Sequence, residues 1–191
     1  MIMVESKENV RKRLLSKLLS FAQEEIERRS KNVERIISNL SVYKGAKSIM
    51  VYYPLKGEVN LLGIVRKALN NKEVCFPVID LKNKNLIPYM VGDLERDFVK
   101  GPYGVREPDI KKTEQYPVGD LDLVFVPGVA FSPSKYRLGR GGGFYDRFIK
   151  TLSRRTKTIG VAFDCQIIDD LPVSIPYDER VDFIVTESAI F

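Results

Sequence analysis

The chain has 191 residues, 44% hydrophobic and 29% charged, which is enough apolar content to bury a core and unlike a disordered or membrane-spanning protein. It contains no histidine, so Ser-His-Asp catalysis, His-ligated zinc and imidazole proton transfer are excluded, and chemistry must come from Lys, Arg, Asp, Glu or Tyr. The formal charge of +6 is uneven: residues 1–47 hold eleven Lys or Arg against six Glu, interleaved in a way that reads as a solvated helix face and not a nucleic-acid surface.

The first twelve residues mix Glu5, Lys7, Glu8 and Arg11 and lack the apolar middle of a signal peptide, and no apolar run approaches a bilayer span. A single domain over 1–191 in the cytosol is expected. Val10, Leu14, Leu18 and Leu15, Leu19, Ala22, Ile26 recur at three- and four-residue steps and predict one helix from about Lys7 to Arg29, with a second near Asn32 to Leu40. Ser48 to Tyr53 is a short apolar run stopped by Pro54 and Gly57, as in a strand covered on both faces. A helix over about Leu61 to Leu69 follows, with Asn60 as its cap.

Strands are predicted at Val74 to Val78, Leu86 to Val91 and Leu121 to Val126. After a loop from Pro127 to Gly143 come a helix from about Phe144 to Leu152 and strands at Thr158 to Phe163 and Val181 to Thr186. This alternation predicts a three-layer α/β/α sandwich with a mostly parallel sheet. Cys75 and Cys165 stand apart, each in an apolar segment, and read as buried reduced thiols.

In such a sheet the site lies beyond the carboxyl ends of the strands, and one loop there is distinctive. Gly139, Gly141, Gly142 and Gly143 let a backbone approach an anion and aim N–H groups at it, and Arg137 and Arg140 flank them. The helix beginning at Phe144 adds its N-terminal partial charge, and Asp146 in its first turn can hold a cation beside a phosphate. The pattern is neither a P-loop nor a dinucleotide fingerprint. From these residues alone, another phosphate-handling enzyme on the same scaffold remains open, as does a binder of RNA or anionic surfaces using the basic helices.

The order Pro127-Gly128-x-Ala130-Phe131, then Arg137-Leu138-Gly139-x-Gly141-x-Gly143, then Phe144-Tyr145-Asp146-Arg147 resembles the signature of the 5-formyltetrahydrofolate cyclo-ligase family. Lys7-x-x-x-Arg11, Tyr52-Tyr53-Pro54 with Glu58-Val59, Gly104-Val105-Arg106-Glu107-Pro108, Gly160-Val161-Ala162-Phe163 with Gln166, and Pro172, Asp178 and Val181-Asp182 extend the resemblance across nearly the whole chain. The chain departs from the common pattern at Ser132, where aspartate is usual, and at Lys135, where glycine is usual. It departs again at Phe144 and Tyr177, where tyrosine and histidine are frequent. A relative that binds ATP but serves another substrate is therefore a further reading.

The resemblance implies a fold related to the sugar-phosphate isomerase and CoA-transferase group. It implies conversion of 5-formyltetrahydrofolate, mono- or polyglutamylated, to 5,10-methenyltetrahydrofolate with ATP and magnesium, by a monomer without nucleic-acid or membrane partners. Its ATP-binding residues would be Lys7, Arg11, Arg137, Leu138, Gly139, Arg140, Gly141, Gly142, Gly143, Phe144 and Tyr145, with Arg137 and Arg140 catalytic. Folate would meet Tyr53, Glu58 and the stretch Arg140, Gly141, Gly142, Gly143 and Phe144, and Asp146 and Asp178 would ligate magnesium.

Overall fold

The computed structural model describes residues 5–175 and 177–191. Helices α1 (Lys7–Leu19), α2 (Gln23–Asn39) and α3 (Ser41–Gly45) precede strand β1 (Ser48–Met50) and helix α4 (Leu62–Ala68). Strands β2 (Glu73–Asp80), β3 (Asn85–Met90), β4 (Phe98–Lys100), β5 (Arg106–Pro108), β6 (Glu114–Gln115), β7 (Leu123–Pro127), β8 (Ala130–Phe131) and β9 (Arg137–Leu138) follow. Helix α5 (Phe144–Thr151), β10 (Lys157–Val161) and β11 (Phe183–Val185) complete the chain.

The expected helix from Lys7 to Arg29 is broken at Ser20. The Ser20 amide reaches the carbonyls of Ser16, Lys17 and Leu18, its hydroxyl donates to Lys17 at 2.7 Å, and Ala22 is extended. The break lets two apolar faces seat on different surfaces. Val10 and Leu14 pack with Val129, Ala130 and Leu138 beside the β8–β9 hairpin, whereas Ile26, Val33 and Ile37 pack on the main sheet. The expected boundary near Ser30 is absent because Ser30 is buried inside α2, where its hydroxyl accepts the Asn60 amide at 2.9 Å.

The N-cap position of α4 is Leu61 and not the expected Asn60, but Asn60 just before it accepts from the Leu62 amide at 2.9 Å, and Glu34 of α2 accepts from Ile64 at 2.7 Å. A carboxylate there meets the positive end of the helix.

The main sheet has the order β11-β10-β7-β1-β2-β3-β6. β11, β10, β7, β1 and β2 are parallel, with Met50 opposite Cys75 and Val124, whereas β3 and β6 add antiparallel edges. Side chains alternate between faces along each strand. Ile49, Val51, Leu123, Phe125, Ile159 and Val161 pack under α2, α3 and α4, while Met50, Val124, Val126 and Ile184 pack with Phe148 of α5. Burying each such side chain contributes about 1.5–3 kcal/mol. Two-sided coverage explains why the strands read as continuous apolar runs and bears out the mostly parallel three-layer expectation.

The β4–β5 and β8–β9 hairpins were not expected, because two- and three-residue strands carry too little alternation to be read. Cys75 is buried and its thiol is pushed up to about 12 by desolvation, whereas Cys165 is only half-buried. Both are free thiols.

Candidate active site at the carboxyl edge of the sheet

From β1 the chain crosses to β2 on one side, while β7, on the other side of β1, leads on to β10. The crevice between the carboxyl ends of β1 and β7 is therefore a topological switch point, where ligands of open α/β sheets bind. A cavity of about 500 Å³ opens there. Tyr52, Tyr53, Leu55 and Glu58 after β1, Pro127 at the end of β7 and Gly128 just after it line the cavity. The glycine loop and start of α5 contribute Gly139, Arg140, Gly142, Gly143, Phe144 and Tyr145, and the β4–β5 hairpin covers it with Tyr103, Val105, Arg106 and Glu107.

The loop is held from behind. Ser132 is buried, and its hydroxyl accepts the Tyr136 amide at 3.1 Å, as a short polar side chain does in a turn. Lys135 adopts a left-handed backbone with φ of 73°. Its ammonium donates to the Asp182 carbonyl at 2.8 Å and stands over the Phe183 ring. A side chain other than glycine is thus tied down on both sides at this strained position. Gln166, also buried, fixes the turn after β7 by donating to the Gly128 carbonyl at 2.7 Å and accepting from Phe163.

Arg137 emerges from this hairpin only 5% exposed. It pairs with Asp146 at 2.6 Å and lies so close to Gly139 that a Cβ there would collide with its Nη1. Burial lowers the Arg137 pKa, against the opposing pull of Asp146, Tyr145 and Asp178. Its Nε is buried without a hydrogen-bond partner, as is the Tyr145 hydroxyl. Burial followed by the nearby Glu58 raises the Tyr145 pKa well above the ordinary value, so its hydroxyl stays a donor.

Gly143, at φ of 65°, turns the chain into α5 and puts Asp146 in the first turn. Asp178 accepts from Lys7 and from the Ser174 amide at 2.6 Å, and Arg11 donates to the Gly139 carbonyl at 2.8 Å. Arg140 pairs with Glu58 at 3.2 Å, and Glu58 also accepts the Leu55 amide at 3.0 Å. Burial raises the Glu58 pKa despite Arg140.

Of the residues singled out in the sequence, Tyr53, Glu58, Arg137, Gly139, Arg140, Gly142, Gly143, Phe144 and Tyr145 line the cavity. Arg11 and Asp146 adjoin that wall through Gly139 and Arg137, whereas Lys7 and Asp178 pair with each other, Asp178 acting on the Arg137 charge. Leu138 belongs elsewhere: its side chain is buried with Val10, Leu14 and Val129, leaving only its backbone near the loop. Phe144, without a hydroxyl, lies under the Arg147 guanidinium, and its ring is where a Cβ at Gly142 would fall. Tyr177 is exposed.

Sequence reasoning missed Tyr52, Tyr103, Arg106 and Glu107 as cavity residues and Gln166 as a brace. Glycine at 104, before Arg106, was a turn signal, but the antiparallel pairing that folds the hairpin over the cavity is a nonlocal contact.

Comparison with known proteins identifies the family. The sequence model described as the 5-formyltetrahydrofolate cyclo-ligase family matches residues 3–187. The chain is 30% identical over 136 residues to the 5-formyltetrahydrofolate cyclo-ligase of Haemophilus influenzae, covering 70% of this chain and 73% of that one. It is 32% identical over 203 residues to a probable 5-formyltetrahydrofolate cyclo-ligase of Caenorhabditis elegans, covering 96% and 93%. The solution structure of Aquifex aeolicus 5,10-methenyltetrahydrofolate synthetase superposes with a TM-score of 0.84 at 33% identity, over 96% of this chain and 91% of that one.

Proposed function

This chain belongs to the 5-formyltetrahydrofolate cyclo-ligase family and converts 5-formyltetrahydrofolate to 5,10-methenyltetrahydrofolate, and we propose that the crevice between β1 and β7 is where it does so. The observation that carries the assignment is the set of contacts at one cavity: Asp146 with Arg137, Arg11 with Gly139, and Arg140 with Glu58. Phosphate-binding groups and a carboxylate suited to a pterin thereby share one wall. The family is ATP-dependent, and ATP is the co-substrate in this reading.

The formyl group on N5 is an amide whose oxygen is a poor leaving group. In the proposed reaction the formyl oxygen attacks the γ-phosphorus as the bond to ADP breaks. The N10 lone pair then adds to the formyl carbon, the carbon–oxygen bond breaks, phosphate leaves and the N10 proton passes to solvent. The chain's contribution is positioning and charge neutralisation.

The Gly139 to Gly143 backbone and the start of α5 hold phosphate oxygens, with Lys7 and Arg11 from α1 beside them. Arg137, whose Nε has no partner of its own, offers a buried donor at fixed geometry. Arg140, 41% exposed at its side chain, exchanges Glu58 for the transferring phosphoryl oxygens. Released Glu58 then accepts from the amino edge of the pterin, and Tyr53 meets the same folate.

Magnesium fits this donor set. Asp146 and Asp178 supply two carboxylates, and no group of three or more acidic or thiol ligands occurs among the described residues. Two carboxylates suit an ion that takes its remaining ligands from phosphates and water, and that neutralises phosphate charge when bound. Each carboxylate now pairs with a cation, Arg137 or Lys7, so protein and nucleotide must assemble the site together.

A cytoplasmic monomer using mono- or polyglutamylated folate completes the proposal; no described helix is long and apolar enough to cross a membrane. The deciding assay mixes the protein with 5-formyltetrahydrofolate, ATP and magnesium and follows methenyl absorbance. A rise requiring all three supports the reading, and a flat trace with all three present rejects it.

A further inference from the structure

Five charged side chains line the cavity: Glu58, Arg106, Glu107, Arg137 and Arg140. Four have protein partners that account for them. Arg137 pairs with Asp146, Arg140 pairs with Glu58, and Glu107 accepts the Ile79 amide at 3.1 Å. Arg106 is different. Its one hydrogen bond among the described residues goes from Nη1 to the Tyr53 hydroxyl at 2.9 Å, and no carboxylate pairs with it.

Arg106 is nevertheless held firmly. It sits on β5 opposite Lys100 of β4, with its guanidinium 5.0 Å from the Tyr53 ring centre and 5.5 Å from that of Phe98. Those rings meet edge to face at 5.2 Å. Stacking fixes the guanidinium plane and lowers the entropy a ligand must overcome, while leaving most N–H donors on a planar fork unused. A half-buried cation so arranged recognises a carboxylate bidentately.

We propose that Arg106 binds a carboxylate of the glutamyl tail of the folate. The inference rests on the folate reading above and extends it. That reading already commits the glycine loop, Arg137, Arg140, Lys7 and Arg11 to phosphate and Glu58 to the pterin. The remaining charges of 5-formyltetrahydrofolate are the glutamate carboxylates, which are costly to bring against an apolar wall without a cation. Arg106 is the cavity cation left for them, and the β4–β5 hairpin carrying it is a separate element from the phosphate loop. Tail recognition and phosphoryl transfer are thereby assigned to separate elements of the cavity lining.

The test measures equilibrium binding by calorimetry with a non-hydrolysable ATP analogue and magnesium present, using 5-formyltetrahydrofolate and its bis-carboxamide, in which both tail carboxylates are neutral amides. Wild type should prefer the carboxylate form by roughly ten- to a hundredfold, the range for a charge-assisted bidentate pair. Arg106→Gln should lose that preference by weakening the carboxylate form alone, and Arg106→Lys should keep part of it.

Equal affinity of wild type for the two compounds overturns the proposal without any variant. So does an Arg106→Gln protein that keeps the wild-type preference. If wild type binds neither compound, the folate reading itself is what fails.

Discussion

Removing Asp146 should destabilise the protein far more than removing a surface carboxylate, because it strands the Arg137 charge. The Arg137 side chain is 4% exposed and Asp146 16%, and the pair closes at 2.6 Å. Breaking a buried ion pair from one side costs about 3–5 kcal/mol, since the remaining charge is left without compensation. Partial exposure of Asp146 favours the lower end, so Asp146→Ala should lose about 3 kcal/mol. For a chain of this size that corresponds to roughly 6–12 °C in Tm. Urea unfolding followed by circular dichroism should show a lower midpoint at constant slope. The double variant Arg137→Met, Asp146→Leu should recover most of the loss, since apolar replacement of both partners is often neutral or stabilising, and should remain inactive. An Asp146→Ala midpoint within about 2 °C of wild type would refute the claim that Arg137 depends on this partner for its charge.

Arg140→Ala should lower turnover about a hundredfold, the loss of about 3 kcal/mol expected for one transition-state donor, and unchanged single-turnover chemistry would remove it from the catalytic role. Glu58 has its pKa raised chiefly by burial, so the native state holds its proton more tightly than the unfolded chain. The associated stability is fully present below the ordinary glutamate pKa and is lost as pH rises through the higher native value. Glu58→Gln should therefore match wild type in stability near about pH 4 and exceed it progressively at higher pH, while binding folate less well; a difference independent of pH would be inconsistent with this. At Lys135, replacement by alanine keeps the left-handed strain and loses the tie to Asp182, costing about 1 kcal/mol, whereas glycine removes the strain and should stay near wild type. Equal midpoints for the two variants in chemical denaturation would contradict that account.

The family resemblance was legible because it resides in a contiguous loop whose residues act through local geometry. Glycines at 139, 141, 142 and 143, two flanking arginines and an aspartate one turn into a helix state a phosphate-binding chemistry before any fold is known. The departures at Ser132 and Lys135 were legible too, but not their consequence. Ser132 still accepts an amide within its turn, and Lys135 is secured by Asp182 and Phe183 from a strand nearly fifty residues away. Helix boundaries failed at Ser20, where no glycine or proline marks the break and the reason for it is that α1 and α2 dock on different surfaces.

Apolar run length and period determined, within the sequence, that buried parallel strands alternate with helices, and the glycine–arginine loop marked where phosphate chemistry is expected, after the strand predicted at Leu121 to Val126. Both are properties of neighbouring residues, set by backbone geometry and side-chain alternation. Only the tertiary structure decided that Lys7 reaches Asp178, that Arg140 rests on Glu58, that Arg137 is buried with Asp146, and that Arg106 faces the same cavity from an unforeseen hairpin. Such pairings bring together residues up to 171 positions apart, and their energy depends on burial and distance in the folded state, which no local pattern encodes.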